Sequence, residues 1–278
     1  MEIGVLTWMF KESSLEDIFA WASENGLSSL QLDGCPEDLD RVKALLDKYP
    51  DVEIHVLGRA QNYLVGDASA REKRAALLRR DIEAAAELGI GVVNVFAGRD
   101  PYKTVEENLP IFAEVFTPLV EVAERYGVRL AMENCAQRNW WPAGGNLAST
   151  VENWRMLFEL IPSPYLGLTF DPSHFVWQGM DYLAALREFG ERVYYVHAKD
   201  TEVLQDQLAV KGIYGQGWWR YRLPGWGSID WVGFFTGLME IGYEGPVGIE
   251  AEDPLWSEND AKLKQGILKA RDFLVRFV

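Results

Sequence analysis

The chain has 278 residues and only three histidines, His55, His174 and His197, each at or near the end of a short apolar run. Acidic residues take similar places. Glu133 stands near the end of VRLAMEN, Asp171 ends LGLTFD, and Glu250 lies within VGIEAE, while His197 stands near the end of RVYYVHA. If these runs are strands of one closed sheet, Glu133, Asp171, His197 and Glu250 converge on its axis. Three carboxylates packed together repel one another and are driven to protonate. A divalent cation removes that cost and uses the acids as ligands. One imidazole with three carboxylates suits Mn2+, Co2+, Mg2+ or Zn2+, with positions left open for substrate oxygens. The expected cofactor is one divalent metal ion.

The elements that must position these residues alternate along the chain. Short runs rich in Val, Ile and Leu lie at 2–8, 29–33, 52–58, 91–96, 128–134, 166–171, 192–198 and 247–252. Such runs suit parallel strands buried on both faces. Between them are helical patterns whose starts read as capping boxes: Ser13 with Glu16, Ser69 with Glu72, Thr104 with Glu107, and Ser149 with Glu152. Gly26, Gly89, Gly127 and Gly190 are placed to close helices in a left-handed turn. Leu15, Ile18, Phe19 and Ala22 form one apolar stripe, and Phe112, Val115, Phe116, Leu119 and Val122 form another. A last helix is expected over about 258–277.

Eight strands alternating with eight helices predict an α/β fold, a single (β/α)8 barrel occupying residues 1–278 as one domain. An open doubly wound sheet would need a glycine-rich phosphate turn after the first strand, and TWMFKESS has none. Two connections are longer than a strand-to-helix link requires, residues 135–147 and 199–228. Both follow strands, the fifth and the seventh, so both belong on the C-terminal face, where barrels carry function.

Composition narrows the partners. The net charge is −15, and no Lys/Arg cluster stands out. A protein that grips a phosphate backbone needs a positive surface, so nucleic acid is not an expected partner. No run of 18 apolar residues predicts a membrane span. The opening MEIGVLTWMFKESS does not read as a signal peptide, and Cys35 and Cys135 make no disulfide framework. A cytoplasmic protein is expected.

The segments MEN at 132–134, FDPSH at 170–174, VHAKD at 196–200 and IEAED at 249–253 resemble those of the xylose-isomerase-like sugar isomerase/epimerase superfamily. FAGRDP at 96–101 and RLPGWGSIDW at 222–231 extend the resemblance over nearly the whole chain. It implies an eight-stranded barrel holding one divalent metal through Glu133, Asp171, His197 and Glu250. It also implies that His174 contacts substrate or orients the site. The same superfamily includes apurinic endonucleases that hold three zinc ions with additional histidines. This chain departs from that pattern, with Phe96 ending the fourth strand and Trp231 and Val232 following Asp230. Three histidines cannot build the trinuclear cluster.

The chemistry expected of such a site is proton abstraction beside a metal-chelated carbonyl of a sugar. Glu133 and Glu250, on opposite sides of the metal, would be the catalytic pair. One removes the proton and the other returns it on the opposite face, which is epimerisation. Return of the proton to the adjacent carbon by one base is isomerisation. Candidate substrate contacts are His174, His55, Lys199 and Arg222, with Trp141 and Trp219 offering flat faces to the C–H faces of a sugar or cyclitol. The residues from about Gly212 to Trp226 mix glycines with aromatics and read as a lid; the tryptophans also suit a contact between two copies of the chain. The alternatives are a metal-dependent dehydratase or lyase acting on a keto-cyclitol or 3-keto-glycoside, and a non-catalytic sugar-binding subunit.

Overall fold

The computed structural model describes residues 1–137 and 144–278. Its centre is a closed barrel of eight parallel strands: β1 (Ile3–Leu6), β2 (Ser29–Asp33), β3 (Glu53–Arg59), β4 (Val92–Val95), β5 (Arg129–Glu133), β6 (Leu166–Phe170), β7 (Val193–Ala198) and β10 (Val247–Ile249). Each pairs with its sequence neighbour in the barrel, and β10 closes the ring by lying between β7 and β1. At the closure Gly4 is in register with Gly248. A Cβ on Gly248 would overlap the Tyr195 hydroxyl, and one on Gly4 would overlap the Ser29 carbonyl. Neither of these two positions has room for a side chain. The strands bury both faces, as their Val/Ile/Leu content demands.

Helices α1 (Leu15–Glu24), α2 (Leu39–Lys48), α3 (Ala68–Glu87), α4 (Val105–Tyr126), α5 (Val151–Leu160), α7 (Tyr182–Phe189), α9 (Trp231–Glu240) and α10 (Asp260–Leu274) form the outer layer. The stripes expected on α1 and α4 face the core, with Ile18, Phe19, Ala22, Phe112, Phe116 and Leu119 all buried. Two further elements sit on the C-terminal side. A short helix, α6 (Ser173–Gln178), directly follows β6. After β7 an antiparallel ribbon of β8 (Asp200–Val203) and β9 (Trp219–Arg222) encloses α8 (Gln205–Lys211). Among the described residues no helix is long and apolar enough to cross a membrane.

Local chemistry moves several helix starts from their expected residues. Thr104 and Glu107 form the expected capping box on α4. On α1 the box shifts by one residue to Ser14 and Asp17, because the Ser13 amide and hydroxyl both donate to Asp260 at 2.8 and 2.7 Å. On α3 the carboxylate of Asp67 caps instead of Ser69, accepting from the Ala70 amide at 2.7 Å. On α5 it is Thr150 rather than Ser149, which ends a 3₁₀ turn. Gly26, Gly89 and Gly127 are left-handed as expected. Gly190 is not: it keeps φ −50° and opens a 3₁₀ turn, and it is glycine because a Cβ there would press on Ile241.

Asp260, the first residue of the last helix, accepts from the backbone amides of Lys11, Glu12 and Ser13 at 2.8–3.1 Å. It thereby ties the connection after β1 to the C-terminal helix and locks the seam of the barrel. Asp260→Ala is expected to lower the unfolding free energy by about 2 kcal/mol, the range for hydrogen bonds to a charged group. Urea denaturation followed by circular dichroism measures it, and an unchanged midpoint would show that the seam closes without this clamp.

Candidate active site

Glu133 ends β5, Asp171 follows the last residue of β6, His197 is the penultimate residue of β7, and Glu250 follows β10. In the barrel these strands are consecutive, in the order β10-β7-β6-β5. The four side chains thus form an arc, with the two glutamates at its flanks. All four are buried, and one ligand atom from each lies within 4.8 Å of the others. His197 Nδ1 is 3.3 Å from Glu250 Oε2 and 3.7 Å from Glu133 Oε1.

Each member is held by the fold. His197 Nε2 meets Gln31 Oε1 at 2.9 Å across the barrel interior. An amide oxygen can only accept, so Nε2 carries the proton and Nδ1 turns toward the carboxylates. Gly58 makes room for this, because a Cβ there would overlap the Gln31 amide. Asn94 Nδ2 donates to Glu133 Oε2 at 3.4 Å. The Asn134 side chain clamps the Asp171 backbone, donating to its carbonyl at 2.9 Å and accepting from its amide at 2.8 Å. Asp171 Oδ1 accepts from the Ser173 amide at 2.8 Å, which leaves Oδ2 facing the arc.

Asp171 Oδ2, His174 Nε2 and His197 Nδ1 are buried without a hydrogen-bond partner among the described residues. Such atoms are costly unless something satisfies them. A divalent cation among the four ligand atoms would engage Asp171 Oδ2 and His197 Nδ1 together, so the residues fit a metal. Electrostatics agree. Burial pushes the Glu133 carboxyl up, but His197, His174 and Lys199 outweigh it and hold it well below the usual carboxylate range. Burial disfavours a charged His197, yet Glu133 and Glu250 lift the imidazole to about 10. Positive charge at the centre of the arc is what the acids select.

Lys199 is fully buried and gathers three acids: Glu250 at 2.7 Å, Glu252 at 2.9 Å and Asp171 at 3.2 Å. Its ammonium also lies 4.4 Å from the centre of the Tyr221 ring. His174, on α6, reaches back to Asp171 Oδ2 at 3.1 Å and Glu133 Oε1 at 3.5 Å, while its Nδ1 meets the Tyr221 hydroxyl at 3.0 Å. The arc opens into a cavity of about 270 Å³ lined by Glu133, His197, Lys199, Glu250, Glu252 and Trp8. A larger groove of about 670 Å³ runs between α3 and α4 on the outer surface and includes none of these residues.

Three of the expected substrate contacts lie elsewhere. His55 is the third residue of β3 and faces Glu53 and Glu2 at 3.4 and 3.7 Å, at the N-terminal end of the barrel. The apolar run continues four residues beyond it to Arg59, so the histidine is at the start of its strand. Arg222 is an ion-pair strut, 3.0 Å from buried Asp253 and 3.2 Å from Glu202. Trp219 stacks on Trp177, with ring centres 4.9 Å apart and planes within 4°, and meets Tyr221 edge-on. It braces the ribbon, and through Tyr221 it supports His174. Trp141 lies outside the described residues. The aromatic part of the expected lid is anchored: Trp218 is buried with Ala136 and Trp177, and β9 is paired to β8. Asp200 fixes the rest, accepting from the amides of Thr201, Gly225 and Ile229 and from Trp231 Nε1 at 2.8–3.1 Å.

Gln31 and Asn94 touch His197 and Glu133, and motif reading did not single them out. The available signal was a lone amide inside an apolar strand, in SLQLD and VVNV. A polar side chain there needs a partner in the barrel interior.

The family model described as xylose isomerase-like TIM barrel matches residues 19–275. An inosose dehydratase of Clostridium perfringens is 30% identical over 167 residues, covering 58% of this chain and 52% of that protein. Curated relatives at 30% identity or more share only 37–52% of their own length with the chain. The crystal structure of the IOLI protein with a binding zinc atom superposes with TM-score 0.79 at 19% identity, covering 100% of this chain and 99% of that one. That of 3-keto-D-glucoside 4-epimerase, YcjR, from E. coli gives TM-score 0.77 at 18% identity, with 99% of each chain covered. At these identities the structural likeness is one of fold.

Two outcomes follow from the geometry around His197. Gln31→Leu removes the acceptor that fixes the imidazole and is expected to weaken divalent-metal binding by about 10–100-fold, measured by competition with a fluorescent chelator. Metal-free His197, lifted to about 10, is protonated at neutral pH and must release that proton to bind metal. Apparent affinity should therefore rise with pH, by about tenfold per unit for one displaced proton. A flat profile between about pH 6 and about pH 8 would contradict coordination through this nitrogen.

Proposed function

Because the chain belongs to the xylose isomerase-like TIM-barrel family, we propose that it is a divalent-metal-dependent enzyme that epimerises or isomerises a keto-sugar or keto-cyclitol. The observation that carries this reading is the arc itself, with Glu133 and Glu250 at its two flanks and His197 between them. Glu133, Asp171, His197 and Glu250 would hold a divalent cation, which would supply Lewis acidity to a substrate carbonyl.

The chain's own residues do the rest. A carboxylate within hydrogen-bond reach of the carbon beside the carbonyl takes its proton. The second carboxyl group, on the opposite flank and protonated at that point of the cycle, delivers its proton to the other face and inverts the centre, so the pair exchanges protonation states. Asn94 orients Glu133, and the Lys199 ammonium holds the Glu250 carboxyl in place at 2.7 Å. His174, held by Tyr221, presents Nε2 at the edge of the arc, where a substrate hydroxyl can accept or donate.

One observation favours dehydration as a second reading. Lys199 faces the cavity as an ammonium fixed between Glu250, Glu252 and Asp171, placed to protonate a departing hydroxyl after the same proton abstraction. The likeness to an inosose dehydratase supports it. A small uncharged or lightly charged polyol is the substrate class for either reading, and the net charge of −15 disfavours nucleic acid.

The decisive test incubates the manganese-loaded protein in deuterium oxide with ketoses, inososes and 3-keto-glycosides. Deuterium uptake with an isomeric product marks epimerisation or isomerisation; loss of water marks dehydration. Glu133→Gln and Glu250→Gln keep an oxygen ligand but remove the base, so each should retain metal and lose about 10²-fold or more of exchange. Near-normal exchange in either variant would reduce that glutamate to a ligand. His197→Ala should lose most of the metal, and His174→Ala should keep more of it.

A further inference from the structure

Beside the four-residue arc lies a second group of donors with a different character. Glu133, Cys135 and His174 each place a ligand atom within 4.8 Å of the others. Glu133 belongs to both groups, Cys135 follows it by two residues beyond the end of β5, and His174 comes from α6. Cys135 is a free thiol at the cavity wall. His174 is fully buried, and its Nε2, which makes no hydrogen bond among the described residues, lies 3.1 Å from Asp171 Oδ2 and 3.5 Å from Glu133 Oε1. A buried imidazole, a thiol and a carboxylate brought this close together are a donor set suited to a cation.

The chemistry of the two sets differs. The arc has one nitrogen and three carboxylates, which suit hard and borderline cations alike. The triad has sulfur, nitrogen and oxygen, which select thiophilic ions such as Zn2+ or Cd2+ over Mn2+ or Mg2+. We propose that Glu133, Cys135 and His174 form a second, inhibitory cation site for a thiophilic divalent metal next to the catalytic one. The inference rests on the proposed function above. Binding there draws Glu133 toward the new ion, withdraws the His174 nitrogen from the substrate and places charge at the cavity wall. Cys135 releases its proton to solvent and binds as thiolate. The enzyme would then tolerate excess manganese and be inhibited by excess zinc.

The other thiol serves as an internal control. Cys35 lies two residues beyond β2, where its amide donates to Asp81 at 2.9 Å, and burial together with Asp81 pushes its thiol up. Among the described residues it belongs to no such donor group.

The test titrates Cd2+ into the manganese-loaded full chain while following the ultraviolet thiolate-to-cadmium charge-transfer band and counting both metals after dialysis. The expected result is a band that saturates at one cadmium per chain with the manganese retained. Cys135→Ser should abolish the band and the extra cadmium, and Cys35→Ser should preserve both. Zinc inhibition of deuterium exchange should be relieved in Cys135→Ser relative to that variant's own zinc-free rate. A band that survives Cys135→Ser, no band at all, or cadmium that displaces manganese one for one would overturn the proposal. The manganese count before cadmium is added reports on the four-ligand site alone, so failure there is separable from failure of the triad.

Discussion

Mutual repulsion among buried carboxylates is the constraint around which this molecule is arranged. Glu133, Asp171 and Glu250 are all removed from water at one end of the barrel. Two like charges about 4 Å apart cost about 4 kcal/mol at an effective dielectric near 20. Lys199 is shared among Asp171, Glu250 and Glu252, and His197 is drawn toward the charged state by Glu133 and Glu250. The compensation already present is thus cationic, and it is concentrated at the same point as Asp171 Oδ2 and His197 Nδ1, which make no hydrogen bond among the described residues. A divalent cation completes an electrostatic pattern that the protein side has drawn.

Holding that pattern takes a layer of neutral amides. Gln31 sets the tautomer of His197, Asn94 touches Glu133, and Asn134 clamps the backbone of Asp171. None carries charge, so none adds to the repulsion. Each comes from a barrel strand or its immediate end, and the geometry of the four side chains therefore inherits the rigidity of the sheet. The space for this layer is made by an omission, since Gly58 leaves room for the Gln31 amide. Orientation of metal ligands by a second set of residues is a general requirement for affinity.

The excursion after β7 has a divided role. Its base is rigid, with the ribbon of β8 and β9 anchored by Trp177, Trp218 and Trp219 and its return segment organised by Asp200. From that base Tyr221 meets His174, and the Lys199 ammonium lies against the Tyr221 ring. Its tip, around α8, is exposed, with Val210, Ile213 and Tyr214 all open to solvent. The aromatic residues of this region act mainly by fixing the residue that contacts the site.

The sequence by itself determined the barrel and the arc. Parallel strands buried on both faces need continuous apolar runs, and such runs are visible in one dimension. A charged residue ending such a run, repeated on the strands of Glu133, Asp171, His197 and Glu250, points to one place because closure brings strand ends together. Only the tertiary structure decided the surroundings. His55 sits in a similar apolar run, yet where β3 begins decides which end of the barrel it faces. Ser13 has the spacing of a helix cap, but Asp260, 247 residues away, takes its hydroxyl. Arg222 and Trp219 stand in a motif-rich segment, and their partners Asp253 and Trp177 come from other connections. Gln31 reaches His197 across 166 residues of chain. Periodicity records how each element meets the core, whereas the partner of a polar side chain depends on distances that only the folded chain sets.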